Sequence, residues 1–199
     1  MRRHTTRAAT LLLCLAPAAV AFRTAATTLT LEEQSRIWIA GTSTVRAFTC
    51  EAPQFDAAIE AAAPGAVGAL LSGEKAVSTA TLKVSAAKLD CGNGTMNGHM
   101  AKALKSSEFP TITFVLGGYA PAKTATGIAG TIDGQLTLGG VTKPITLKAT
   151  AKDEGGALRV QGVYDLDMTE YGIKPPSLMM GTMKVGKVAK VNFDLVIKG

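Results

Sequence analysis

Hydrophobic and polar residues alternate with a period of two along most of this chain, the pattern of half-buried β-strands. Phe55, Ala57 and Ile59, for example, alternate with polar or small neighbours. Similar stretches, many of them rich in β-branched residues, predict about eight short strands. These strands fall at residues 36–49, 54–60, 76–84, 112–116, 126–138, 144–151, 157–168 and 187–198.

Two segments depart from this alternation. Asn97 is a residue type that caps helices, and it precedes a segment at residues 98–105 with Met100 and Leu104 on one helical face. An alanine-rich stretch at residues 57–71 predicts a second, weaker helix, which a Pro-Gly pair interrupts. The pattern therefore predicts strands with one or two short helices.

Glycine-rich segments separate the predicted strands. Turns are expected at Gly117-Gly118, Gly139-Gly140 and residues 153–156. We find no internal repeat, heptad or interdomain linker, so the pattern predicts a single all-β domain built as an antiparallel barrel or sandwich. A barrel of eight strands either fills its interior with its own side chains or holds one small ligand, and strand spacing alone leaves both interpretations open.

The N-terminal residues have the organisation of an export signal rather than of a folded element. Three arginines and no acid precede a short apolar run at residues 11–16, and Ala19-Val20-Ala21 supplies small residues where a signal peptidase cuts. We therefore expect a signal peptide at residues 1–21, a single folded domain at residues 22–199, and a periplasmic or secreted protein.

Composition narrows the function. The chain has 199 residues, of which 47% are hydrophobic and 18% charged, and this suits one domain with a sizeable core. Residues 1–21 contain three of the 21 basic residues and none of the 15 acidic ones, so their removal lowers the net charge from +6 to +3. This weakens the case for nucleic-acid binding. No apolar stretch is long enough to span a membrane, although transient membrane contact stays open.

Two cysteines, Cys50 and Cys91, follow the predicted signal peptide. In an exported chain two cysteines favour one disulfide, whereas in the cytosol they would be two thiols. The alternative to a disulfide is two buried thiols that pack as small hydrophobic groups.

Residues suited to catalysis or to cofactor binding are few. His99 is the single histidine after residue 21, so sites built from several histidines are excluded. Asp165 and Asp167 lie on one face of a predicted strand, where they either form a carboxylate pair or mark a solvated surface. We predict no enzyme activity, no metal and no cofactor; an enzyme acting on a lipid through these residues is the weaker alternative.

Five motifs occur in the order found in one known family. They are Ser43-Thr-Val-Arg46 followed by Phe55, Leu89-Asp90 followed by Met96–Leu104, Phe109-Pro110-Thr-Ile-Thr-Phe114, the segment from Gly134 to Leu147 (Gly-Gln-Leu-Thr-Leu-Gly-Gly-Val-Thr-Lys-Pro-Ile-Thr-Leu), and Leu166–Ile173 followed by Val188–Ile197. Over essentially the whole of residues 22–199 the chain resembles the YceI-like family of bacterial secreted proteins.

The resemblance implies a lipocalin-like, extended antiparallel eight-stranded β-barrel that accommodates a long isoprenoid chain in the periplasm. The leading hypothesis is thus a non-enzymatic carrier of an isoprenoid or another amphiphilic lipid. The alternative is an envelope stress or interaction protein with a filled barrel and no ligand. Strand parity and the helix predict the barrel lining as Ile39, Val45, Met100, Leu104, Ile112, Phe114, Leu136, Leu138, Ile145 and Leu147.

Overall fold

A computed structural model describes residues 27–178 and 182–199, and the predicted signal peptide lies outside these residues. In the described part of the chain, twelve strands and two α-helices form. The strands are β1 (Thr27–Leu31), β2 (Arg36–Thr42), β3 (Ala47–Glu51), β4 (Phe55–Ala61), β5 (Val77–Ser85), β6 (Thr111–Thr124), β7 (Gly127–Leu138), β8 (Val141–Glu154), β9 (Ala157–Asp167), β10 (Ser177–Leu178), β11 (Met183–Lys184) and β12 (Val188–Lys198). The helices are α1 (Ala66–Leu71) and α2 (Gly94–Ala103).

Ten of the strands form one closed antiparallel sheet. β1 and β2 follow one another along β12 and together count as one of the eight strands of the barrel. β3 pairs with β2 and β4 pairs with β1, so β3 and β4 together count as the next strand. β5 to β9 and β12 follow as a meander, and the pairing of β12 with β1 and β2 closes the circle. The predicted all-β, lipocalin-like eight-stranded barrel is therefore confirmed.

The first predicted strand, at residues 36–49, is wrong as one element. The chain turns between β2 and β3, where the Ser43 hydroxyl accepts hydrogen bonds from the backbone N–H groups of Val45 and Arg46 at 3.2 and 3.1 Å. A side-chain acceptor that closes a local turn competes with the strand ladder. Strand parity is lost at this turn, and Val45 is 64% exposed instead of facing the interior.

Three further local predictions need correction. Gly117-Gly118 is no turn: it lies within β6, where the register against β7 shifts, so these glycines mark a β-bulge. Residues 57–71 split into the end of β4 and the short helix α1. Asn93, not Asn97, caps α2, because its side chain accepts the Met96 N–H at 3.0 Å.

The turn at Gly139-Gly140 is confirmed and has a clear physical cause. Both residues have positive φ, 57° and 82°, which the tight turn between β7 and β8 requires. A Cβ at Gly140 would lie 2.6 Å from the ring of Phe109, so a side chain is also excluded there by contact.

Two apolar clusters lie at the two ends of the barrel. One surrounds α1 and contains Leu29, Ile59, Leu70 and Leu158. The other lies beside α2; its buried members include Ile37, Val84, Leu104, Leu138, Leu166, Tyr171 and Ile173. We call them the α1 end and the α2 end of the barrel.

Candidate functional site

A cavity of about 450 Å³ occupies the barrel interior, and its wall is almost entirely apolar. Nine of the ten residues predicted to line the barrel lie in this wall: Ile39, Met100, Leu104, Ile112, Phe114, Leu136, Leu138, Ile145 and Leu147. Val45 does not, for the reason given above. The volume falls within the usual range of small-molecule sites, about 300–1,000 Å³.

The cavity extends from one end of the barrel to the other. Its wall includes Leu29 and Leu70 from the α1 end, and Met96, His99 and Met100 from α2. An elongated interior of this kind can enclose an extended apolar chain.

Glycines opposite aromatic side chains help to keep this interior open. A Cβ at Gly162 would lie 2.3 Å from the Phe193 ring, and one at Gly134 would lie 2.3 Å from the Phe114 ring. The two rings therefore lie against the backbone of the neighbouring strand instead of standing across the lumen. Gly41 and Phe48 repeat this arrangement at 2.3 Å.

A band of small residues crosses the middle of the wall. Gly130, Ala149 and Gly162 are register partners on three successive strands, and Phe193 pairs with Gly162 on the next. No side chain larger than a methyl group projects from the first three. The small residues leave room for the Phe193 ring, which lies over Gly162.

Helix α1 packs over the α1 end of the barrel. Leu70 of α1 is buried there among the apolar cluster described above. The Tyr119 hydroxyl accepts hydrogen bonds from the backbone N–H groups of Ala76 and Val77 at 2.7 and 2.8 Å. These two bonds satisfy backbone groups just before and at the start of β5 and fix the Tyr119 ring in the wall.

At the α2 end, three elements surround the mouth of the cavity: the β2–β3 turn, β11 and α2. The turn and β11 are joined through Thr44, whose N–H donates to the Lys184 carbonyl at 3.0 Å and whose hydroxyl accepts the Lys184 N–H at 3.2 Å. Ser43, Arg46, Met183 and Val185 lie in the wall on this side. The mouth is therefore built from a connected rim rather than from separate loops.

The loop that precedes α2 is held covalently and by hydrogen bonds. The predicted Cys50–Cys91 disulfide is confirmed, and it ties the end of β3 to this loop. Beside it, the Asn97 side chain accepts the Cys91 N–H at 2.7 Å and donates to Asp90 at 2.9 Å. The hydrogen bond from Asn97, followed by that from the Gly92 N–H, lowers the pKa of Asp90. Asn97 thus orders the loop, although it does not cap the helix.

Two tyrosines lie near the α2 end in apolar surroundings. Tyr164 lines the cavity, and burial raises its pKa. Tyr171 is 3% exposed, its hydroxyl has no hydrogen-bond partner within the described residues, and burial raises its pKa to about 12. Both phenols are therefore neutral at physiological pH and add no charge to the site.

The residues considered for catalysis do not come together. His99 lies in the cavity wall, whereas Asp165 is exposed and accepts a hydrogen bond from Lys190 at 2.7 Å. Asp167 binds the Thr169 hydroxyl and Lys187, which lower its pKa to about 2. Each carboxylate thus has its own cation and they form no shared pair. Over residues 27–178 and 182–199, no three His, Cys, Asp or Glu side chains cluster as metal ligands.

Comparison with known families decides the identity. The sequence model of the YceI-like domain matches residues 24–197, nearly the whole chain. The chain belongs to the YceI-like family. A comparison with curated protein sequences finds no match.

Solved structures show the same fold at low sequence identity. BcnA of Burkholderia cenocepacia is 19% identical, with a TM-score of 0.67 over 82% of this chain and 96% of its own. A polyisoprenoid binding domain from Saccharophagus degradans is 13% identical, with a TM-score of 0.60 over 86% and 98%. A YCEI protein of Campylobacter jejuni is also 13% identical, with a TM-score of 0.56 over 98% and 97%.

Several wall residues escape prediction from the sequence. Tyr119, Ala149 and Phe193 lie in the wall, yet strand parity alone does not set them apart from other alternating positions. Arg46 belongs to a family motif that does not by itself place it in the wall. Its place at the mouth follows from the turn that moves Val45 outward.

Among the described residues, no helix has the length and apolarity needed to cross a bilayer.

Proposed function

We propose that this protein binds the hydrocarbon chain of an isoprenoid or a similar amphiphilic lipid inside its barrel, without chemical turnover. The observation that carries this proposal is the apolar cavity of about 450 Å³ that reaches from the α1 end to the mouth beside α2. Membership of the YceI-like family supports it, as does the fold shared with a protein described as a polyisoprenoid binding domain.

The physical driving force is the transfer of apolar surface out of water, which contributes about 25 cal/mol per Å² before the cost of ordering the ligand. The wall offers apolar contact along its length. An apolar chain therefore gains affinity with each unit that enters, and polar groups are needed only at the mouth. The cavity favours this proposal over the alternative hypothesis, a barrel filled by its own side chains.

A chain-length series tests the proposal. With geraniol, farnesol and geranylgeraniol, we expect each added isoprene unit to raise the affinity about tenfold until the cavity is full. Longer prenols should then gain nothing further. Titration by intrinsic fluorescence or by calorimetry measures the series. Affinity that does not depend on chain length would contradict burial in the barrel.

A cavity-filling variant provides the matched comparison. Ala149→Phe places a ring at the band of small residues without adding charge. The affinity for prenols should therefore stop rising at a shorter chain length than in the wild type. Lys148→Phe adds the same ring one residue earlier, on the opposite face of β8, and should leave the series unchanged. Equal behaviour of the two variants would show that chain binding occurs elsewhere.

We further propose that the protein acts in the periplasm or is secreted, after cleavage following Ala21. The support is the arrangement of arginines, apolar run and small residues at the N-terminus. N-terminal sequencing of the protein from intact cells should begin at or within a few residues of Phe22. A chain that still carries Arg2 and Arg3 would refute export by this route.

A further inference from the structure

We propose that the mouth of the cavity recognises an anionic head group, a phosphate or a carboxylate, through Arg46. This inference rests on the proposed function, since a head group can be placed at the mouth only if the apolar chain occupies the barrel. It narrows the ligand from any amphiphilic lipid to an acidic one.

The wall of the cavity is apolar along most of its length, and basic side chains enter it only at the α2 end. These side chains are Arg46, from the β2–β3 turn, and His99, from α2. A lipid whose tail points toward the α1 end thus places its head group beside these two residues.

The backbone of Arg46 is fixed, while its charged end has no ion-pair partner among the described residues. The Ser43 hydroxyl accepts the Arg46 N–H at 3.1 Å and donates to the Arg46 carbonyl at 2.9 Å. The Ser43 N–H donates to the same carbonyl at 2.9 Å. Within residues 27–178 and 182–199, the Arg46 guanidinium forms no ion pair. The turn therefore fixes the Arg46 backbone at the mouth, and no residue in the described ranges neutralises its guanidinium.

Neighbouring charges favour an anion further. Lys184, whose backbone is joined to the β2–β3 turn through Thr44, is exposed beside the rim rather than part of the wall, and it has no ion-pair partner in the described part of the chain. Acids of the flanking strands are already neutralised: Glu51 pairs with Arg36 at 2.9 Å, and Asp167 with Lys187 at 3.0 Å. These two carboxylates therefore do not compete with a head group for Arg46.

An arginine suits this role because its planar guanidinium forms two parallel hydrogen bonds with a carboxylate or phosphate. Ser43 does not compete for the ligand. Its hydroxyl already donates a hydrogen bond to the Arg46 carbonyl and accepts hydrogen bonds from two backbone N–H groups. Its part in recognition is to hold the turn that presents Arg46.

The test compares ligands that share a tail and differ in the head: farnesyl phosphate, farnesoic acid and farnesol. The mature wild-type protein should bind an anionic ligand more tightly than farnesol at low ionic strength. Arg46→Gln should weaken anion binding about tenfold, which corresponds to about 1.4 kcal/mol, and leave farnesol binding unchanged. High salt should reduce the difference between wild type and variant, because the mouth is exposed to solvent.

Arg36→Gln is the matched control. It removes the same charge from the chain, but at an exposed position on β2, where Arg36 pairs with Glu51 and its Cζ atom lies 5.6 Å from the Trp38 ring centre. It should change neither the affinity for the anionic ligands nor the affinity for farnesol. If Arg46→Gln lowers the affinity for farnesyl phosphate alone, the inference is supported and the head group is a phosphate. If it lowers the affinity for farnesoic acid as well, the inference is supported and a carboxylate is also recognised.

Two results overturn the inference while leaving the proposed function in place. One is equal binding of all three ligands by wild type and Arg46→Gln. The other is an equal loss of anion binding in Arg36→Gln and Arg46→Gln, which would mean that only net charge matters. If the wild type binds none of the three ligands, the proposed function fails, and the inference fails with it.

Discussion

Phe114→Asp is expected to lower the affinity for an isoprenoid by at least about 100-fold, equivalent to about 2.7 kcal/mol. Phe114 lies in the cavity wall, with its ring against Gly134 of the neighbouring strand. A carboxylate there must be desolvated whenever an apolar chain enters. The cationic side chains of the wall lie only at the mouth, so none is placed to pair with it. Titration with geranylgeraniol measures the loss.

The same substitution also removes a packed ring, so loss of binding must be separated from loss of fold. Phe114→Leu is the control: it keeps the wall apolar and should retain affinity within a few-fold, although it loses the contact with Gly134. Circular dichroism and thermal unfolding establish that each variant is folded at the assay temperature. A folded Phe114→Asp protein that binds as well as Phe114→Leu would refute the proposed location of the ligand.

Removal of the disulfide is expected to have the largest effect on stability. The Cys50–Cys91 bond closes a loop of 41 positions, and loss of such a constraint should lower the free energy of unfolding by about 3–4 kcal/mol on the chain-entropy model. For a chain of this size the melting temperature should fall by roughly 10 °C. Urea unfolding of the double variant Cys50→Ala, Cys91→Ala measures the difference.

Reduction of the wild type supplies the control for the cysteine substitutions. Dithiothreitol should lower the stability of the wild type to near that of the double variant, and it should leave the double variant unchanged. Cys50 is fully buried, so a further small loss is expected from the missing sulfur in the core. Equal stability of oxidised wild type and double variant would mean that the bond constrains little of the unfolded chain.

The sequence predicts the strands well because alternation with a period of two reports directly which face is buried. Phe55 and Ile59 belong to β4 as predicted, and the β7–β8 hairpin follows from Gly139-Gly140. The same rule identifies seven of the nine wall residues, since inward positions of a barrel all face one cavity, and the helical face supplies Met100 and Leu104.

The errors arise where the local signal has two physical meanings. A pair of glycines marks a turn at Gly139-Gly140 but a bulge at Gly117-Gly118, because only pairing with a distant strand distinguishes the two. At Ser43 a side-chain hydroxyl closes a turn within a stretch whose residues favour strand, and this moves Val45 outward. Asparagine at positions 93 and 97 offers two caps, and only the geometry selects the first.

Contacts between distant residues lie beyond single-sequence reasoning. The openness of the lumen depends on the Phe193 ring at Gly162 and on the Tyr119 hydroxyl at Ala76 and Val77. Neither pairing leaves a periodic signal in the sequence. The sequence therefore predicts the existence of a barrel, but its interior space becomes visible only once these partners are brought together.

The most direct measurement of the central claim is the identification of lipid in the natively purified protein. The protein is purified without detergent and extracted with organic solvent, and the extract is analysed by mass spectrometry beside an extract of Ala149→Phe. We expect the wild type to yield a stoichiometric isoprenoid lipid with an acidic head group and the variant to yield much less of it. A wild-type extract free of lipid, from protein that also fails to bind added prenols, would contradict the account.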